Sequence, residues 1–135
     1  MKKFVSLLLI IFTYTFEVAN AVGEYGAVAS SKKQASEVGI EILKNGGNAI
    51  DAAVAVAFTL SVTHPSAGNI GGGGFMVIRL ANGEVTTIDF REKAPSLSSS
   101  DMFLDSDGNV IPGKSKYSAL ASGVPGTVYG LGYAH

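Results

Sequence analysis

The 135-residue chain contains no cysteine. That removes disulfides, thiolate metal sites, a cysteine nucleophile and a lipidated N-terminal cysteine at once. It also lacks an excess of either charge, with 10 Lys and Arg against 11 Asp and Glu for a formal −1. Such a balance gives no electrostatic reason to expect nucleic acid or an anionic membrane surface as a partner. Histidine is scarce, only His64 and His135, so neither a metal site nor a cofactor is expected. Charged residues make up 16% of the chain and hydrophobic ones 47%. That is globular rather than disordered, with a well-buried interior or a surface meant to be covered.

The N-terminal apolar stretch, residues 4–16, falls short of the ~20 residues a membrane span needs. Lys2 and Lys3 precede it and Ala19-Asn20-Ala21 follows. A positive start, a short apolar run and an A-x-A site are the parts of a secretory signal peptide. The pattern predicts export to a bacterial periplasm or exterior, with cleavage after Ala21. Residues 22–135 then suffice for one small domain.

What the chain has in plenty is glycine, 17 residues, four of them consecutive at 71–74. Gly26 to Ser30 reads as a short strand leading to a helix, with Ser30 or Ser31 as its cap and Val38, Ile42 and Leu43 as its apolar stripe. Asn45-Gly46-Gly47-Asn48 stops that helix. A second runs from Ala49 to Val62, apolar nearly all round, and belongs inside a protein. Residues 75–80 and 84–90 flank Asn82-Gly83, the preferred pair for a two-residue hairpin turn. That turn sets Leu80 opposite Val85 and Phe75 opposite Phe90. Both hairpin faces are then substantially apolar, which predicts cover on both sides and a layered α/β fold. Residues 96–118 are polar and turn-rich. Thr127 caps a last helix that the sequence ends within, so the chain reads as truncated.

The glycines do not form a phosphate loop. Such loops follow a strand and open a helix, whereas here a helix precedes the glycines and a strand follows. A linker is excluded by the strongly apolar flanks. Close approach of backbone to a neighbour or a pocket remains. Asp105 to Asn109 imitates the start of a calcium loop, but its glycine is one place early and Lys116 stands where the bidentate Glu belongs. It reads as a surface turn. Thr63-His64 places a hydroxyl beside an imidazole, although nucleophile–base pairs form in space rather than between sequence neighbours. His64 reads as a helix-end residue. Arg91, in Asp89-Phe90-Arg91-Glu92, lies just past the hairpin base. Its planar fork suits capture of a carboxylate. An ion pair with Asp89 or Glu92 is the other reading of the same residue.

GGNAIDAAVAVAFTLSVTHPSAGNIGGGGFMVIRL, IDFREKAP, DMFLD-x-x-GN and ASGVPGTVYG together resemble the amino-terminal part of the large subunit of gamma-glutamyltranspeptidases. The likeness runs from about Gly26 to the end, in the family's order and spacing. It implies part of an N-terminal nucleophile hydrolase, an αββα sandwich made as an exported precursor that cleaves itself into two subunits. The small subunit's new N-terminal Thr then attacks the γ-glutamyl amide of glutathione or a related compound. Its own amine serves as the base. Water or an amino acid or peptide amine receives the γ-glutamyl group.

The resemblance gives Arg91 the substrate's α-carboxylate and the glycine run a place beside the active site. It leaves the nucleophile, the oxyanion hole and most of the pocket outside this stretch. No catalytic residue is therefore expected among the 135, which are expected to be inactive alone and to expose apolar surface. The alternatives are an inactive exported relic or binding module and, among enzymes, a related amide acylase.

Overall fold

The structure, a computed structural model, describes residues 20–23 and 26–135. The leader expected over residues 1–21 lies, apart from residues 20 and 21, outside the described residues. Strand β1 (Asn20–Gly23) pairs antiparallel with β2 (Gly26–Ala29), Asn20 opposite Ala29.

Helix α1 (Lys33–Lys44) follows. Its N-cap is Lys32, which makes no side-chain cap bond, so the cap expected at Ser30 or Ser31 does not form. Ser30 instead donates its hydroxyl to the Lys32 carbonyl at 2.7 Å and meets the buried Ser36 hydroxyl at 2.8 Å. Ala35, Ser36, Gly39 and Ile40 form the buried face of α1. A Cβ at Gly39 would stand 2.8 Å from both Val28 and Val56, so glycine sets how closely α1 crosses β2 and the next helix.

The turn between the two helices is built by backbone and side chain in sequence. Gly46 is left-handed (φ 90°). Its N–H donates to Leu43, and the Gly47 N–H donates to Ile42. This double bond is the Schellman arrangement that satisfies the last carbonyls of a helix. Asn48 then caps α2 (Ala49–Thr63), its Oδ1 accepting from Ile50 and Asp51 at 2.7 and 3.1 Å. Asp51 reciprocates by accepting the Asn48 N–H at 2.8 Å, a complete capping box. Helix α2 packs along α1, yet only Ala52 is fully buried and Phe58 and Val62 are exposed.

Strands β3 (Phe75–Arg79) and β4 (Val85–Asp89) form the expected hairpin, but one residue out of the expected register. Phe75 faces Asp89, Met76 faces Ile88 and Arg79 faces Val85. The pair continues through Leu80, whose N–H donates to Glu84 at 2.8 Å, so the loop is the three residues 81–83. A two-residue turn with Asn82 and Gly83 both at positive φ would keep the expected register. No non-glycine residue has positive φ among the described residues, so Gly83 alone (φ 88°) takes the left-handed position. The Asn82 side chain accepts the Glu84 N–H instead.

A one-residue shift exchanges the faces of a strand. Met76, Ile78, Ile88 and Phe90 now share one half-buried face. Phe75, Val77 and Val85 share the other with Arg79, Thr87 and Asp89, and that face is exposed. The expectation of two covered faces is corrected accordingly: among the described residues the hairpin is covered on one.

Residues 96–118 form turns, an isolated bridge between Leu104 and Val110, and the short helix α3 (Lys114–Tyr117). A 3-10 turn (Ala119–Ala121) precedes helix α4 (Thr127–Ala134), whose N-cap is Gly126 rather than Thr127. Helix α4 packs on α2 and β4 through Gly130 and Leu131, the latter 2% exposed. The chain is thus a mixed α/β structure of two hairpins and a helix pair. No helix among the described residues is long and apolar enough to cross a membrane.

Candidate functional site

Three backbone segments converge at the base of the second hairpin: the glycine run, residues 90–93 leaving β4, and residues 124–127 entering α4. Gly74 and Phe90 extend the hairpin ladder, Phe90 N–H donating to Gly74 at 2.9 Å and Gly74 N–H to Phe90 at 3.3 Å. Lys93 and Val124 exchange both backbone bonds, at 3.2 and 2.8 Å. The Gly72 carbonyl then accepts from both Gly126 and Thr127, at 2.9 and 3.1 Å. These bonds satisfy backbone groups that would otherwise be stranded where the chain turns.

Side chains have no room at this junction. A Cβ at Gly73 would collide with the Phe90 carbonyl and stand 2.7 Å from the Glu92 nitrogen. One at Gly126 would overlap the Phe90 carbonyl, and one at Gly130 would overlap the Phe90 ring. The glycines are required by close backbone approach, as the order of elements implied. Phe90 is the object they surround.

Arg91 emerges from this junction with three restraints. Its backbone N–H donates to Asp89 Oδ1 at 3.0 Å. Its Nε donates to Glu92 Oε2 at 3.2 Å. Its guanidinium carbon lies 5.9 Å from the centroid of the Phe75 ring. Neither Nη nitrogen makes a hydrogen bond or ion pair with any described residue, and the side chain is 63% exposed. The end-on edge of the fork is therefore open. Of the two sequence readings of Arg91, the ion pair with Glu92 is present; it occupies Nε and leaves both Nη nitrogens uncommitted among the described residues.

Glu92 is tied to the junction by more than Arg91. Its carboxyl is held below the ordinary 4.5, chiefly by its own backbone N–H, and further by the Arg91 hydrogen bond and charge and by the Gly73 N–H. Partial burial opposes those effects and loses to them. The ionised form of Glu92 is thus favoured beside Arg91. A cleft of about 260 Å³ borders the Arg91–Glu92 pair, lined by Asn69, Gly72, Gly73, Phe90, Glu92 and Thr127 among others. A larger cleft of about 630 Å³ lies between the start of α2 and β3. Its walls are mainly Ile50, Ala53, Met76 and Ile78, with no acid–base pair to do chemistry.

The other candidates resolve as structural. Thr63 donates its hydroxyl to the Thr59 carbonyl at 3.0 Å, back along its own helix rather than toward His64. His64 is the C-cap of α2, its N–H bonded to Leu60. Asp105 accepts the backbone N–H groups of Asp107 and Asn109 at 2.9 and 2.8 Å, an Asx turn. No cluster of three His, Cys, Asp or Glu residues suited to a metal ion occurs among the described residues. Sequence reasoning missed two participants, the Phe75 ring near the guanidinium and Phe90 at the centre of the glycines. The first became visible only once the register placed Phe75 opposite Asp89.

Comparison with known proteins gives the chain a family. A family model described as gamma-glutamyltranspeptidase matches residues 35–135. The chain is 61% identical over 109 residues to the glutathione hydrolase proenzyme of Escherichia coli (strain K12), covering 81% of this chain and 19% of that protein. It is 60% identical over 111 residues to the glutathione hydrolase proenzyme of Pseudomonas sp. (strain A14), covering 82% and 19%. Among solved structures, Helicobacter pylori gamma-glutamyltranspeptidase superposes with a TM-score of 0.77 at 58% identity, over 82% of this chain and 32% of that one. The fold is that of the corresponding part of such enzymes. The chain belongs to the gamma-glutamyltranspeptidase family. It spans about a fifth of the length of the curated relatives it matches.

Proposed function

We propose that residues 22–135 form the N-terminal part of the large subunit of an exported γ-glutamyl hydrolase and transferase, and that Arg91 holds the substrate's α-carboxylate. The observation that carries this reading is the open end-on edge of the Arg91 fork, held beside the glycine junction by Glu92. A planar fork with two free donors pairs bidentately with a carboxylate, and glutathione presents one at the α-carbon of its γ-glutamyl group.

The rest of the machinery belongs to a threonine-led small subunit of the same precursor, completing an αββα sandwich. Its threonine hydroxyl attacks the γ-glutamyl amide carbonyl while its own amine takes the proton. The C–N bond breaks, the leaving amine is protonated, and a γ-glutamyl ester remains. Water or an acceptor amine then cleaves that ester. The 135 residues supply an anchor for this reaction and no nucleophile. The exposed apolar side chains Val77, Val85, Leu97 and Tyr129 support a partner surface supplied by the small subunit.

The test is a complete proenzyme in which residues 26–135 replace the matched segment of the Escherichia coli relative. It is expected to process itself and hydrolyse glutathione. Arg91→Ala is expected to raise KM for γ-glutamyl donors about 10- to 100-fold, the scale of a lost charge-assisted pair. Arg91→Ala with unaltered KM overturns the assignment. Glutathione hydrolysis by the purified 135-residue chain overturns the division of labour. A chimera that processes but does not hydrolyse favours the relic reading.

A further inference from the structure

We propose that Phe75 is a positioning residue for the Arg91 guanidinium, and that it sharpens selection of donors with a free α-carboxylate. The proposal rests on the reading of Arg91 given above. Phe75 begins β3 directly after the glycine run and pairs with Asp89 across the hairpin. Arg91 follows Asp89 by two residues, so side-chain alternation brings it toward the same face, diagonal to the Phe75 ring. The guanidinium carbon stands 5.9 Å from the ring centroid, within the range of cation–π attraction.

Core packing does not account for this ring. The buried face of the hairpin is that of Met76, Ile78, Ile88 and Phe90, while Phe75 is 65% exposed. A phenylalanine that gains little from burial here meets a cation instead.

The restraints on Arg91 act on different freedoms. Asp89 fixes the backbone at its root and Glu92 fixes Nε. Neither sets the tilt of the guanidinium plane. The Phe75 ring, 5.9 Å from the guanidinium carbon, is the group placed to bias it. Bidentate capture needs both Nη donors and both carboxylate oxygens near one plane, so tilt bears on carboxylate recognition specifically. A donor whose α-carboxylate is replaced by a carboxamide gains little from it.

The experiment uses the complete chimeric proenzyme and two donors, a γ-glutamyl anilide and its α-carboxamide counterpart. Phe75→Leu keeps the apolar bulk and removes the ring. It is expected to raise KM for the carboxylate donor about two- to fivefold, with kcat and the carboxamide donor's KM unchanged. Phe75→Tyr, which keeps the ring face, is expected to recover the discrimination. In an Arg91→Ala background Phe75→Leu is expected to have no further effect.

If Phe75→Leu weakens both donors alike, or neither, while Arg91→Ala erases the discrimination, the positioning role is overturned and the Arg91 assignment stands. If Arg91→Ala itself leaves the discrimination intact, the underlying reading has failed, and the role of Phe75 with it.

Discussion

The α1–α2 pair and the glycine junction solve the same problem, satisfying backbone at a change of direction, by opposite means. Between the helices the work is done by side chains and by one left-handed glycine with open space around it. Asn48 and Asp51 exchange their bonds within four residues, and a Cβ at Gly46 would meet nothing within 4 Å. At the junction, backbone bonds to backbone across distant segments. Glycines are present there because Phe90 and its carbonyl fill the space a side chain would take. A local cap is therefore repairable by any residue with a suitable oxygen. At Gly73, Gly126 and Gly130 the junction tolerates no added atom.

That contrast can be broken most severely within α4 itself. Gly130→Ala drives a methyl into the Phe90 ring, and overpacking of a fixed core contact costs about 1–3 kcal/mol. It is expected to lower the thermal midpoint of the complete proenzyme and to raise KM through displacement of residues 90–92. Asn48→Ala removes the local cap of α2, for an expected loss of about 1 kcal/mol in denaturant unfolding with KM unaffected. Equal KM effects of the two substitutions would erase the distinction between the regions.

Gly132→Ala sharpens it from the other side. Two residues from Gly130 on the same helix, its Cβ would meet nothing within 4 Å. Alanine there is expected to stabilise by about 0.5–1 kcal/mol, the helix-propensity difference, since no contact opposes it. Destabilisation by Gly132→Ala would mean that the environment of α4 has been misjudged.

The smallest effect concerns pH. Because the folded Glu92 carboxyl lies below its ordinary 4.5, its contribution to stability is present above that value and is lost as pH falls through the lower folded one. The Arg91–Glu92 pair should persist to a lower pH than an unperturbed glutamate would allow. A carbon-detected NMR titration giving a Glu92 midpoint at or above 4.5 would contradict the backbone and Arg91 hydrogen bonds to its carboxylate.

Legibility in the sequence follows the same division. The helix pair, its glycine stop and the hairpin's existence were readable because their causes sit within a few residues. Asn45 to Asn48 and Asp51 carry their own instructions. The hairpin register was not readable from Asn82-Gly83, since that pair serves both a two-residue turn and the last two places of a three-residue loop. The signal that discriminates lies farther off. Only the observed register gathers Met76, Ile78, Ile88 and Phe90 on one face and leaves Arg79, Thr87 and Asp89 on the other.

At the site, Arg91 was legible as a fork just past the hairpin base with Glu92 as a candidate ion-pair partner, and the glycines as a close approach. What they approach was not, because Gly126 and Gly130 meet Phe90 across some forty residues of chain. Local pattern carries no information about a contact of that span. The cap expected at Ser30 failed for a related reason. Its hydroxyl is taken by Lys32 and Ser36, a bond that exists only once α1 has formed.

The second hairpin carries one more consequence. It presents Phe75, Val77 and Val85 on an exposed face, and among the described residues neither of its edges is paired by another strand. Short β-prone segments with little charge and open edges are templates for cross-β association. During synthesis, residues 75–90 emerge before any later segment that could cover them. The stretch that leads into Arg91 is thus the one most exposed to self-association, and it is where a folding helper in the cell would have the most to protect.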